Sequence, residues 1–109
     1  MSYAKIDPII KAWATKRDLV VLQEEGKFGR RVAHTSSRAG ETFQIVIEPE
    51  RNEVVRIDAH LIETWNEEEV HYIWQTPVQS LRDALDVCVD SIQVWFNRTG
   101  HSGDATSIS

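Results

Sequence analysis

The chain has a single cysteine, Cys88, so no internal disulfide can form. That excludes a scaffold stapled by bridges and fits a reducing compartment. Long apolar runs are missing too. Stretches such as 19–22 fall far short of the ~20 residues that span a bilayer as a helix. The opening Met-Ser-Tyr-Ala-Lys-Ile-Asp-Pro contains no apolar segment of the kind a secretory signal needs. Basic charge is scarce, with 12 Lys and Arg against 17 Asp and Glu and a formal net charge of −5. Such a surface repels nucleic acid unless a local patch overrides it. The expectation is a cytoplasmic protein with no membrane span, for which nucleic acid is an unlikely partner. Catalytic signatures are lacking as well. The chain has no Walker-type loop, no Gly-x-Gly-x-x-Gly, no Gly-x-Ser-x-Gly elbow and no His-Glu-x-x-His. Its five glycines fall mostly at turns.

What is present is enough for a core. Hydrophobic residues make up 41% of 109, so one domain can fold without metal or disulfide support. That domain is expected over 1–100, followed by a Ser-, Gly- and Thr-rich tail over 101–109 that is expected to be disordered.

The chain is organised around 41–75. Phe43, Ile45 and Ile47 alternate with more polar residues, as do Val55, Ile57, Ala59 and Leu61, and then Val70, Tyr72 and Trp74. Side chains on a strand alternate faces, so each run predicts a strand with one apolar side. Short turns at 48–52 and 66–69 join them into an antiparallel meander. Pro49 donates no ladder hydrogen bond and belongs in the first of these turns.

Upstream, Ile6, Ile10 and Trp13 at helical spacing predict a helix over 6–16, either with Asp7 as N-cap and Pro8 at the first helical position or with Pro8 inside the first turn of a helix begun at Ser2. The valines of 19–22 favour a short strand. Gly26 and Gly29 mark a turn. A weakly patterned strand over 31–36, with Val32, His34 and Ser36 on one face, reads as exposed or at a sheet edge. Downstream, Thr76, Pro77 and Gln79 read as an N-cap, first-turn proline and capping box. Val78, Leu81, Leu85, Cys88, Ile92 and Trp95 then recur at helical spacing, for a helix of about 30 Å. The fold class is therefore α+β: an approximately five-stranded, mostly antiparallel meander, with an N-terminal and a long C-terminal helix packed on one face.

Strand parity then selects residues for the face away from the helices. If Ile57, Ala59 and Leu61 point to the core, Arg56, Asp58, His60 and Ile62 point out, and so do His71 and Ile73. His60 and His71 are cross-strand neighbours on that parity. Val46 and Val54 share it. Four β-branched residues beside charges and imidazoles exceed ordinary surface scatter, and such a mixture suits a protein-binding surface. The same polar residues on a merely solvated face are the plainer reading. A second stripe on the last helix, Ala84, Val87, Ser91 and Val94, offers a surface for a homodimer through two helices or two sheets. Cys88 falls on the apolar stripe and is expected to be inert.

In size, acidity and helix–sheet–helix order the chain is similar to small bacterial or phage proteins that bind a partner, such as immunity proteins, secretion chaperones and inhibitors. This likeness covers no motif. The preferred expectation is a non-enzymatic module docking another protein, with a basic partner as one option, through Arg56, Asp58, His60, Ile62, His71 and Ile73, with no cofactor and no bound metal. The alternative is a small metal- or His-dependent enzyme using His60, His71 and Asp58. A third, weaker reading places single-stranded nucleic acid on Lys27, Arg30 and Arg31, with Phe28 stacking.

Overall fold

The computed structural model describes residues 3–23, 29–38, 40–62 and 70–98. Lys27, Phe28, Trp65, the acidic turn at 66–69 and the tail over 101–109 lie outside the described residues.

Helix α1, Asp7–Arg17, carries Pro8 in its first turn, where a missing N–H leaves no bond unmade. Asp7 does not cap it, contrary to the sequence expectation. Ile6 occupies the cap position without a side-chain bond, and the Asp7 carboxylate is gripped by Arg31, Nε–Oδ1 and Nη2–Oδ2 both at 2.9 Å. That bidentate, charge-assisted pair outcompetes a local backbone bond. Ile6, Ile10, Trp13 and Ala14 enter the core. The helix ends with Asp18 in the left-handed region at φ 60°. The Asp18 N–H donates to the Thr15 carbonyl at 3.3 Å and the Leu19 N–H to that of Ala14 at 2.8 Å, a Schellman closure.

The sheet is an antiparallel meander in the order β1-β2-β3-β4-β5. Strand β1 is Val21–Gln23, β2 Arg31–Ser36, β3 Thr42–Ile47, β4 Val54–Leu61 and β5 His71–Pro77. The edge position expected for β2 is corrected: β1 pairs outside it, with Val21 opposite Ala33 and Leu22 opposite Val32. Only three residues of the 19–22 region and its flank join the ladder, yet they suffice to make β2 interior. At the β3–β4 hairpin, Arg51 and Val54 exchange backbone bonds across Asn52 and Glu53, whose φ angles are 53° and 65°. This mirror-type turn matches the right-handed twist of its strands.

Phe43, Ile45, Ile47, Val55, Ile57 and Ala59 have no exposure and share one face of the sheet. Both helices pack there. Helix α2, Leu81–Arg98, buries Leu81, Leu85, Cys88, Val89, Ile92 and Phe96 against it. Trp95 packs edge-on to Phe43 at 5.3 Å between centroids. The expected capping box at Thr76 is absent. Thr76 pairs with Val55 and Pro77 with Val54, so β5 runs on to Pro77, and a 3-10 turn, Val78–Ser80, leads into α2. The Thr76 hydroxyl instead donates to the Pro77 carbonyl at 3.1 Å.

Arg17 clamps the two helices together, with Nε 3.0 Å from Asp86 Oδ1 and Nη2 2.8 Å from Asp90 Oδ1. On the far side of α1, the Arg31 guanidinium lies 4.0 Å from the Tyr3 ring centroid, and the Tyr3 hydroxyl donates to the Ile47 carbonyl at 2.6 Å. Among the described residues, no helix is long and apolar enough to cross a membrane.

Candidate functional site on the open sheet face

Because both helices lie on one side, no described helix or strand covers the other. Strand register builds this open face in rows. One row runs Leu22, Val32, Val46, Asp58, Ile73 across all five strands. The next runs His34, Gln44, His60, His71 from β2 to β5. On the other side of the apolar row, Arg56 stands opposite Gln75, with Glu48 adjacent through its N–H bond to the Arg56 carbonyl. The parity argument thus puts Arg56, Asp58, His60 and Ile62 of the β4 segment, and His71 and Ile73 of β5, on one surface.

Asp58 is the hub of the polar part. Arg56 donates to it from Nε at 3.0 Å and from Nη2 at 3.1 Å, and His71 Nε2 lies 3.1 Å from Oδ1. Burial pushes the Asp58 carboxyl up, but the bonds from Arg56 and His71, with their charges, outweigh it, and its pKa sits below the ordinary value of 3.8. His60 stands edge-on to His71, with centroids 6.0 Å apart. His34 bonds Gln44, Nε2 to Oε1 at 3.3 Å, and so is occupied within its own row.

The apolar members divide sharply. Val32 and Val46 are only 4% and 5% exposed, whereas Leu22, Val54, Ile62 and Ile73 are 53%, 43%, 42% and 49% exposed. A shallow groove at the hairpin end is lined by Glu48, Arg51, Val54, Arg56, Asp58 and Gln75. Only Arg56 and Asp58 of the six residues singled out by sequence line it; His60, Ile62, His71 and Ile73 lie further along the face.

Sequence reasoning missed Leu22, Gln44, Glu48 and Gln75. Alternation already turns Gln44, Glu48 and Gln75 outward with Val46 and Ile73, but which rows they join, and that Leu22 belongs with them, is settled only by the strand pairing.

Asp58, His60 and His71 do not converge on a point. Among the described residues, no group of three or more His, Cys, Asp and Glu side chains is placed to hold a metal ion. Cys88 is buried and its thiol is pushed up to about 12 by desolvation, which leaves no thiolate for nucleophilic chemistry. Of the basic cluster, Arg31 is engaged by Asp7 and Tyr3, and Arg30 lies 3.6 Å from Glu48. Comparison with protein-family models, with curated proteins and with solved structures finds no match.

Proposed function

We propose that the protein is a non-enzymatic binding module that docks another protein through its open sheet face. The observation that carries this reading is the set of exposed apolar side chains on the face that no described helix covers. Ile62, Ile73, Val54 and Leu22 stand about half exposed around an organised Arg56–Asp58–His71 hub. Exposed apolar side chains bordering preordered polar groups are the make-up of a binding surface: the apolar groups supply desolvation energy and the polar groups supply orientation. The hub is held in place before a partner arrives, so little side-chain entropy is lost on docking. The net charge of −5 favours a basic partner surface through long-range attraction.

The test is affinity capture from the native host with the full chain as bait, in parallel with the His60→Ala/Ile62→Ala double variant. Wild type is expected to retain one stoichiometric basic protein that the variant loses, with far-UV circular dichroism and melting temperature unchanged. A variant that captures the same protein equally well would remove the open face as the interface.

A further inference from the structure

In the polar hub of the open face, the direction of one hydrogen bond decides what the surface can recognise. His71 Nε2 lies 3.1 Å from Asp58 Oδ1. The same carboxylate accepts from Arg56 Nε at 3.0 Å on Oδ2 and from Arg56 Nη2 at 3.1 Å on Oδ1. Burial favours a neutral carboxyl, yet the bonds from Arg56 and His71 hold Asp58 below its ordinary value of 3.8, so at neutral pH it is a carboxylate. A carboxylate only accepts. The proton of the Asp58–His71 bond therefore sits on Nε2. A neutral imidazole carries a single N–H, so Nδ1 is left with a bare lone pair.

The surroundings leave that lone pair open. Among the described residues His71 has no second hydrogen-bond partner, and its side chain is 44% exposed. His60, across the ladder on β4, stands edge-on with centroids 6.0 Å apart. No bond among the described residues fixes the tautomer of His60. The other charged and titratable groups of the face are set back from the pair. Arg56 is spent on Asp58, Glu48 adjoins Arg56, and His34 on β2 is bonded to Gln44. The outward neighbours of His71 on β5, Ile73 and Gln75, are uncharged, and both helices lie on the other side of the sheet.

We infer that Asp58 fixes His71 as the Nε2–H tautomer, that His71 Nδ1 is the acceptor by which the open face recognises a lysine or arginine N–H of its partner, and that a proton on Nδ1 breaks this contact. The assignment of a partner rests on the docking role proposed above. A bare lone pair selects a donor, and a chain of net charge −5 attracts cationic donors first. Acidification inverts the site. The imidazolium donates from both nitrogens and repels a cation, while Nε2 keeps its proton and its bond to Asp58 in both states. The hub stays in place as its outward side turns from acceptor to donor, and a basic partner is released.

Two measurements test this on the full chain. Two-bond proton–nitrogen correlation NMR of the free protein, labelled at histidine, reads the tautomer directly. A single Nε2–H pattern is expected for His71 at neutral pH. Asp58→Asn should convert it to an averaged mixture, because an amide can meet Nε2 as donor or as acceptor. An Nδ1–H pattern or an averaged mixture in wild type overturns the inference whether or not a partner is found. The second measurement is the affinity of the protein captured by the open face, at constant ionic strength. It is expected to fall on the order of tenfold between about pH 7.5 and about pH 5.5. His71→Gln keeps an N–H for Asp58 but has no acceptor that titrates. It should bind about tenfold more weakly at neutral pH and lose most of the pH dependence. Wild-type pH dependence retained in His71→Gln would move the switch to His60 and overturn the inference, as would binding that tightens on acidification. Capture of no protein removes the docking role and with it the assigned partner, while the spectrum of the free chain still decides the tautomer.

Discussion

Asp18 carries two local penalties that one substitution removes. It closes α1 at φ 60°, where a side chain crowds the following carbonyl, and it places a carboxylate at the negative end of the helix dipole. It is exposed, and no described residue hydrogen bonds or ion-pairs with its side chain, so nothing offsets either cost. Asp18→Gly relieves about 1 kcal/mol of left-handed strain and about 0.5 kcal/mol of dipole repulsion. Against this stands about 0.5 kcal/mol for the greater freedom of glycine in the unfolded chain. The net gain is about 1 kcal/mol, which corresponds to a rise in Tm of about 4 °C for a domain of this length. The backbone bonds from Asp18 and Leu19 to Thr15 and Ala14 use main-chain atoms only and survive the change. Thermal and urea melts followed by circular dichroism read the effect. Asp18→Ala separates the two contributions: it removes the charge but keeps a Cβ at positive φ, so it should gain no more than a few tenths of a kcal/mol. If the glycine variant were no more stable than wild type, the left-handed closure of α1 would be refuted. If alanine matched glycine, the strain argument would fail and charge alone would account for the gain.

Three further outcomes are expected. Arg31→Ala should cost about 2 kcal/mol in a denaturant melt, because it removes a bidentate pair to Asp7 and the stack on Tyr3, and Arg31→Lys should recover only a minor part since an ammonium cannot span both carboxylate oxygens. Asp58 has a depressed folded pKa, so its contribution is present above the unfolded value and is lost as pH falls through the folded one; the stability advantage of wild type over Asp58→Asn should shrink below about pH 4, and an advantage independent of pH would count against the Arg56 and His71 contacts. Cys88, with its thiol at about 12 and no exposure, should resist thiol reagents in the native protein and react fully in denaturant, so that rapid native labelling would mean the α2–sheet interface opens readily.

The parts of the fold legible in sequence are those where one physical signal acts alone. The alternation at 43–47 and 55–61, and the spacing from Leu81 to Ile92, report burial directly, and those side chains are the core. The errors arise where a local signal meets a distant competitor. Thr76-Pro77 has helix-start chemistry, but ladder pairing with Val54 and Val55 holds both residues in β5. Asp7 has cap chemistry, but Arg31, 24 residues away, takes its carboxylate. Strand β2 looks like an edge because His34 and Ser36 make it polar, and only the pairing of 21–23 outside it decides otherwise. For the site, parity alone assigns a face to Arg56, Asp58, His60, Ile62, His71 and Ile73. The bonding among them depends on register: Asp58 meets His71 on a diagonal, while its direct partner across the ladder is Ile73.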